Sequence, residues 1–149
     1  MCDILSVLAH IHMKIMKLYV GCSLTQAPED FKAKVEALKD QLRQRYEILD
    51  FIGLVAGTAT DVYRHDIQVC VAQCDVLVGI CDFPAIGLGY ELGVAVEKLG
   101  KPTLALAHKD AKISRMLLGI DHPKYRFVRY ESVEQIPSLI EHFIKEVGA

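Results

Sequence analysis

The chain has 149 residues, 52% hydrophobic and 24% charged, which fits one domain with a substantial core and excludes a disordered or fibrous protein. A net charge of −2 supplies no field for a nucleic acid or a membrane surface, so neither is expected as a partner. The five cysteines are odd in number and lack zinc spacing, and the six histidines form no metal motif, so reduced core thiols in a cytoplasmic protein without a metal are expected.

Residues 1–14 hold a short apolar run broken by His10 and His12, without the basic start or small-residue cleavage site of a signal peptide and too short to span a membrane. They are read as an N-terminal extension of a single domain over 15–149. IMKLYVGC (15–22) is a short apolar run of strand formers closed by Gly21. In the following segment Phe31, Val35, Leu38 and Leu42 share one helical face, and Pro28, Glu29 and Asp30 suit a helix start. YEILDFI (46–52) reads as a second strand, followed by a loop in which Thr60 or Asp61 could cap a helix carrying Tyr63, Ile67, Cys70, Val71 and Cys74 at helical spacing.

DVLVGIC (75–81) is continuously apolar, the pattern of a strand covered on both faces. The segment DFPAIGLG (82–89) is read as a loop leading into a helix from Tyr90 that stops at Gly100. KPTLALA (101–107) is a further buried strand and YRFVRY (125–130) a fifth, separated by a polar stretch with one short helical turn. An amphipathic helix through Val133, Ile136, Ile140, Phe143 and Val147 ends the chain.

Five alternations of strand and helix predict an α/β three-layer sandwich, flavodoxin- or Rossmann-like, with a mostly parallel five-stranded sheet in the order 2-1-3-4-5. Ligands of such sheets bind outside the strands' carboxyl ends at the switch between the first and third strands, so loops 21–28, 53–60 and 82–90 matter most.

GLGYELG (87–93) has neither GxGxxG order nor a GK[ST] ending, so it is not a dinucleotide or P-loop motif. Gly87 and Gly89 still allow close approach of a ligand to the backbone. Glu91, expected in the first turn of its helix, should stay ionised at neutral pH through the helix dipole and hydrogen bonds. Taken alone, the motif favours a capping glutamate over a catalytic one. Asp66, at the start of the preceding helix, should border the same cleft, although an ordinary solvated helix residue reads the same way. Two carboxylates there suit glycosidic chemistry, one attacking or stabilising the sugar C1′ and the other assisting the leaving group. Asp82, at the end of the third strand, is expected at the cleft as well; turn chemistry ahead of Pro84 is its plainer reading.

The stretches LYVGCS, VYRHDIQVCVAQCDVLV, PAIGLGYELGVAVEKLGKPTLAL and ISRMLLG, in this order over about residues 16–130, resemble the nucleoside 2-deoxyribosyltransferase family, and within it the small branch of 2′-deoxynucleoside 5′-phosphate N-hydrolases. The resemblance implies that Glu91 is a nucleophile forming a glycosyl-enzyme, that Tyr19 holds its carboxylate, and that Asp66 contacts the departing base. It implies structural support from Asp75 and a sugar-phosphate loop shaped by Gly87 and Gly89. Ser23 and Ser114 match two serines that hold the 5′-phosphate in the hydrolases. The counterpart of Ser114 comes from a neighbouring subunit, which implies a homodimer with a shared active site. Thr25 stands in place of an arginine and Ala85 in place of a loop serine, so phosphate binding should be weaker or differently made.

The expected activity is cleavage of the N-glycosidic bond of a 2′-deoxynucleoside or its 5′-monophosphate, with water as acceptor and no cofactor. Transfer of the sugar to another base, or a non-catalytic nucleotide-binding module, are the alternatives.

Overall fold

In the computed structural model, residues 14–53 and 56–149 are described. The expected N-terminal extension lies outside them, save Lys14. β1 (Lys17–Cys22), β2 (Glu47–Leu49), β3 (Val76–Ile80), β4 (Thr103–His108) and β5 (Tyr125–Tyr130) form one sheet in the order β2-β1-β3-β4-β5, with every pair parallel. The helices are α1 (Glu29–Leu42), α2 (Ala59–Tyr63, continuing in wide π turns over Arg64–Val71), α3 (Ile86–Gly93, continuing in π turns over Val94–Lys98), the short α4 (Arg115–Leu118) and α5 (Ile136–Val147). None of the described helices is long and apolar enough to cross a membrane.

The two-residue period of a strand divides the core. Leu18, Val20 and Cys22 of β1 with Val76, Val78 and Ile80 of β3 pack against Val35, Leu38 and Leu42 of α1 and Ile136, Ile140 and Phe143 of α5. Tyr19, Leu77, Cys81 and Ala105 point to the other face, against Cys70, Val71 and Cys74 beside α2 and Leu88, Leu92, Ala95 and Val96 of α3. Both faces are covered, which is why the strands are apolar at successive positions. Cys22, Cys70, Cys74 and Cys81 are buried and free, and burial pushes the Cys70 and Cys81 thiols up to about 12 and that of Cys74 to about 11.

Three element boundaries differ from those expected. β2 is three residues long, because the backbone from Asp50 to Ile52 turns away from β1 to bond side chains of α2. The cap of α2 is Thr58, one turn before the helix was expected to begin: its hydroxyl accepts from Asp61 N at 3.2 Å while Asp61 Oδ2 accepts from Thr58 N at 2.9 Å. α3 begins at Ile86, so the glycines read as a loop form its first turn. Its far end follows expectation: Gly100 adopts a left-handed φ of 58° and releases the chain toward β4.

Candidate active site

A cleft of about 510 Å³ opens at the carboxyl ends of β1 and β3, walled by the β1–α1 loop, the segment after β2, and α2 and α3. Tyr19 and Gly21 share the strand face that looks onto α3, which brings both to Glu91. The Tyr19 hydroxyl donates to Glu91 Oε1 at 2.9 Å. Tyr19 is fully buried, and burial followed by the charges of Glu91 and Asp66 raises its phenol far above its ordinary value, so it remains a donor. A side chain on Gly21 would place its Cβ 2.9 Å from Leu88 Cδ1 and 3.3 Å from Glu91 Oε2. Glu91 lines the cleft, and among the described residues no donor meets its Oε2.

Glu91 is the sixth residue of α3, beyond the first turn, and does not cap the helix. The helix dipole, which falls off within a turn, does little for it there. Burial dominates instead: it pushes the Glu91 carboxyl up to about 7, with Asp66 adding to the rise and the Tyr19 hydrogen bond opposing it. The expectation of a fully ionised carboxylate at neutral pH is thus corrected to one near its midpoint.

Asp66, in the π segment of α2, is buried and lines the same cleft. Its Oδ1 accepts from Ile52 N at 3.0 Å; among the described residues no donor meets Oδ2. Burial raises its carboxyl, against the pull of the Ile52 bond and His65. Beside it, the His65 Nε2–H and the Cys70 thiol donate to the Asp50 carbonyl at 2.7 and 3.3 Å. His65, Asp66 and Cys70 are the one group of described residues close enough to share a metal ion. All three already use a donor or acceptor atom to anchor the chain after β2.

Other candidates fall differently. Gly87 and Gly89 are exposed in the first turn of α3, with no atom within 4 Å of where a Cβ would stand, so Gly87 gives the cleft wall open space rather than tight packing. Ser23 is buried with its hydroxyl turned inward: Oγ donates to the Pro84 carbonyl at 3.0 Å and accepts from Gln26 N at 3.2 Å. It ties two loops of the cleft together, and its hydroxyl is spent in doing so. Asp82 faces away from the cleft. It shares the parity of Val78 and Ile80, so it turns toward α1 and α5, where Oδ2 accepts from the Tyr130 hydroxyl at 2.7 Å and Oδ1 from His108 N at 3.2 Å. Strand parity in the sequence carries that signal. Ser114 is exposed at the start of α4 and lines a separate hollow of about 450 Å³ on the other side of Ala85 and Ile86. Asp75 accepts from Lys17 N at 2.8 Å at the opposite end of the sheet.

Residues not singled out in the sequence also shape the site. Phe51 walls the cleft and meets the Tyr19 ring edge-on, with centroids 6.5 Å apart. Lys39, fully buried, sits 4.0 Å from the Phe51 ring centroid and pairs with Glu36 at 3.0 Å. A lysine in a helix of mixed charge gives no sequence signal for such a place.

No family model matches the chain. It is 29% identical over 139 residues to a putative 2′-deoxynucleoside 5′-phosphate N-hydrolase 1 of Thermofilum pendens, covering 84% of this chain and 95% of that one. A protein of the same name from Syntrophotalea carbinolica is 30% identical over 102 residues, 68% of this chain and 69% of its own. Among solved structures, the CMP N-glycosidase BcmB of Clostridium botulinum superposes with a TM-score of 0.66 at 14% identity, over 85% of this chain and 98% of that one, which bears on the fold.

Proposed function

Since the chain belongs to the family of 2′-deoxynucleoside 5′-phosphate N-hydrolases and is an N-glycosidase, we propose that it releases the base of a 2′-deoxynucleoside or its 5′-monophosphate through a covalent intermediate on Glu91. The observation that carries this reading is the Glu91 carboxylate, held at Oε1 by Tyr19 and met at Oε2 by no donor among the described residues, in a cleft shared with buried Asp66. Oε2 bonds to C1′ as the C1′–N bond breaks and its electron pair leaves with the base, which takes a proton from Asp66. Water then bonds to C1′, Glu91 departs as carboxylate, and the water's proton returns to Asp66. Each group ends as it began, and the anomeric configuration is retained.

Burial serves both roles. It raises Asp66 toward its proton-bearing form, and it strips water from Glu91, whose ionised fraction is the nucleophile. The Tyr19 bond opposes the rise at Glu91 and keeps a working share ionised at neutral pH. A homodimer with a shared site belongs to the same reading. It is supported by Ile86 at 96% and Met116 at 79% exposure beside Ser114, apolar side chains that a second copy would cover.

Base release by wild type and Glu91→Gln, with and without a free acceptor base, tests the proposal. Wild type should release base and form no new nucleoside, and intact mass should show a deoxyribosyl adduct that Glu91→Gln lacks. Equal background release from both proteins would refute the catalytic role. A new nucleoside formed only with acceptor base would make the chain a transferase.

A further inference from the structure

The strap that follows β2, residues 50–52, is tied to helices on both faces of the sheet. Toward α1, both Asp50 carboxylate oxygens accept from Arg43 Nη2 at 2.8 Å, and Lys39 Nζ stands 3.7 Å from Asp50 Oδ1. Toward α2, the Asp50 carbonyl accepts from His65 and Cys70, and Ile52 N donates to Asp66 Oδ1. Phe51 stands between these anchors, its ring partly buried in the cleft wall. It adjoins both carboxylates of the reaction proposed above, on which this inference rests. Its ring meets Tyr19, which holds Glu91, and the amide of the next residue holds Asp66.

Lys39 has no part in the bond-making steps and does not line the cleft. It is nevertheless fully buried, and a buried ammonium is unfavourable unless it is well paired. Its carboxylate partners, Glu36 and Asp50, are half-exposed, so an apolar side chain of similar length would fill the place with less desolvation. What the ammonium adds is a cation 4.0 Å from the Phe51 ring centroid, together with its hold on Asp50. The ring is therefore oriented before any ligand arrives. A fixed aromatic ring beside a general acid suits a flat leaving group. It contacts the base without reading its edge, since every base has a π-face, and a saturated sugar has none to offer.

We propose that the departing base packs against the Phe51 ring, and that Lys39 is a positioning residue that fixes this ring and its strap from outside the cleft. The test is calorimetric binding of 2′-deoxynucleoside 5′-monophosphates and of 2-deoxyribose 5-phosphate to the full chain carrying Glu91→Gln, which prevents turnover. Adding Phe51→Leu should weaken the nucleotides by about tenfold or more and leave the sugar phosphate within about twofold, and Phe51→Tyr should keep nucleotide binding within about threefold. Adding Lys39→Met should weaken the nucleotides by about fivefold and spare the sugar phosphate, with Tm unchanged or higher because Glu36 and Asp50 regain water. Equal loss of both ligands, Phe51→Tyr as weak as Phe51→Leu, or binding of neither ligand before Phe51 is changed overturns the base contact. Nucleotide binding unmoved by Lys39→Met, or loss of the fold in that variant, overturns the positioning role. Nucleotide binding that depends on Phe51 without any turnover by wild type upholds the inference and removes instead the N-glycosidase reading, so the two failures are told apart.

Discussion

Two carboxylate sites border the carboxyl edge of the sheet, and they are built on opposite plans. On the α1–α5 side, Asp82 has both oxygens satisfied, by the Tyr130 hydroxyl and the His108 amide. On the α2–α3 side, Glu91 and Asp66 have one donor each among the described residues, and burial raises both carboxyls. A carboxylate with both oxygens bonded fixes geometry, whereas one that is desolvated and half-bonded retains an oxygen for chemistry. The difference lies in the donors that the neighbours supply to each carboxylate.

The largest expected contrast follows from neutralising each site in turn. Glu91→Gln should lower kcat by about 10³-fold or more. It should also stabilise the fold, because the buried carboxyl binds its proton more tightly folded than unfolded. Stability linked to Glu91 is greatest below about 4.5, declines as pH rises, and is gone above about 7. Removing the charge should therefore raise Tm at pH 8 and change it little at pH 4, which thermal melts at both values would show. A lower Tm at pH 8 would mean that the Glu91–Tyr19 bond outweighs burial.

Asp66→Asn comes next, with a loss in kcat of about 10²-fold, the usual worth of a general acid or base. It should spare substrates whose base leaves without protonation, so rates on bases of different leaving ability check it. Tyr19→Phe is milder: about tenfold in kcat/KM at neutral pH, since one hydrogen bond to a charged group is removed. For wild type, kcat/KM should fall as pH drops below about 7 and Glu91 gains its proton. Without the Tyr19 hydroxyl the Glu91 carboxyl rises further, so the acidic limb should move to higher pH. An unmoved limb would take Glu91 out of the rate.

Asp82→Asn is expected to have the smallest effect on activity. Catalysis should stay within about threefold of wild type, while denaturant melts show a loss of about 1–3 kcal/mol from the weakened Tyr130 and His108 bonds. If activity collapses with the fold intact, the division between the two sides is wrong.

The layered fold and strand order were legible in the sequence because buried parallel strands leave continuous apolar runs such as Val76–Ile80. The placement of Glu91 was less so. Gly87 and Gly89 favour a loop by propensity, yet tertiary packing of Leu88 and Leu92 pulls them into α3 and moves Glu91 beyond its first turn. The inward turn of Ser23 and the short β2 depend on partners distant in sequence, Pro84 and Asp66, which no local pattern reveals. Asp82 is different, since counting alternate residues from Val78 would have put it on the α1–α5 side.

The π turns in α2 and α3 have a consequence for how the chain tolerates changes of length. A π segment accommodates about one residue more than the α-helix it interrupts. Deleting one residue from a regular α-helix turns everything beyond it by about 100° about the helix axis. Inside a π segment the same deletion restores the α repeat and leaves the two ends in phase. Arg64–Val71 and Val94–Lys98 are such segments. Single-residue deletions should thus be better tolerated within them than in the regular turns of α1, where the core-facing Val35, Leu38 and Leu42 would be turned away from the sheet.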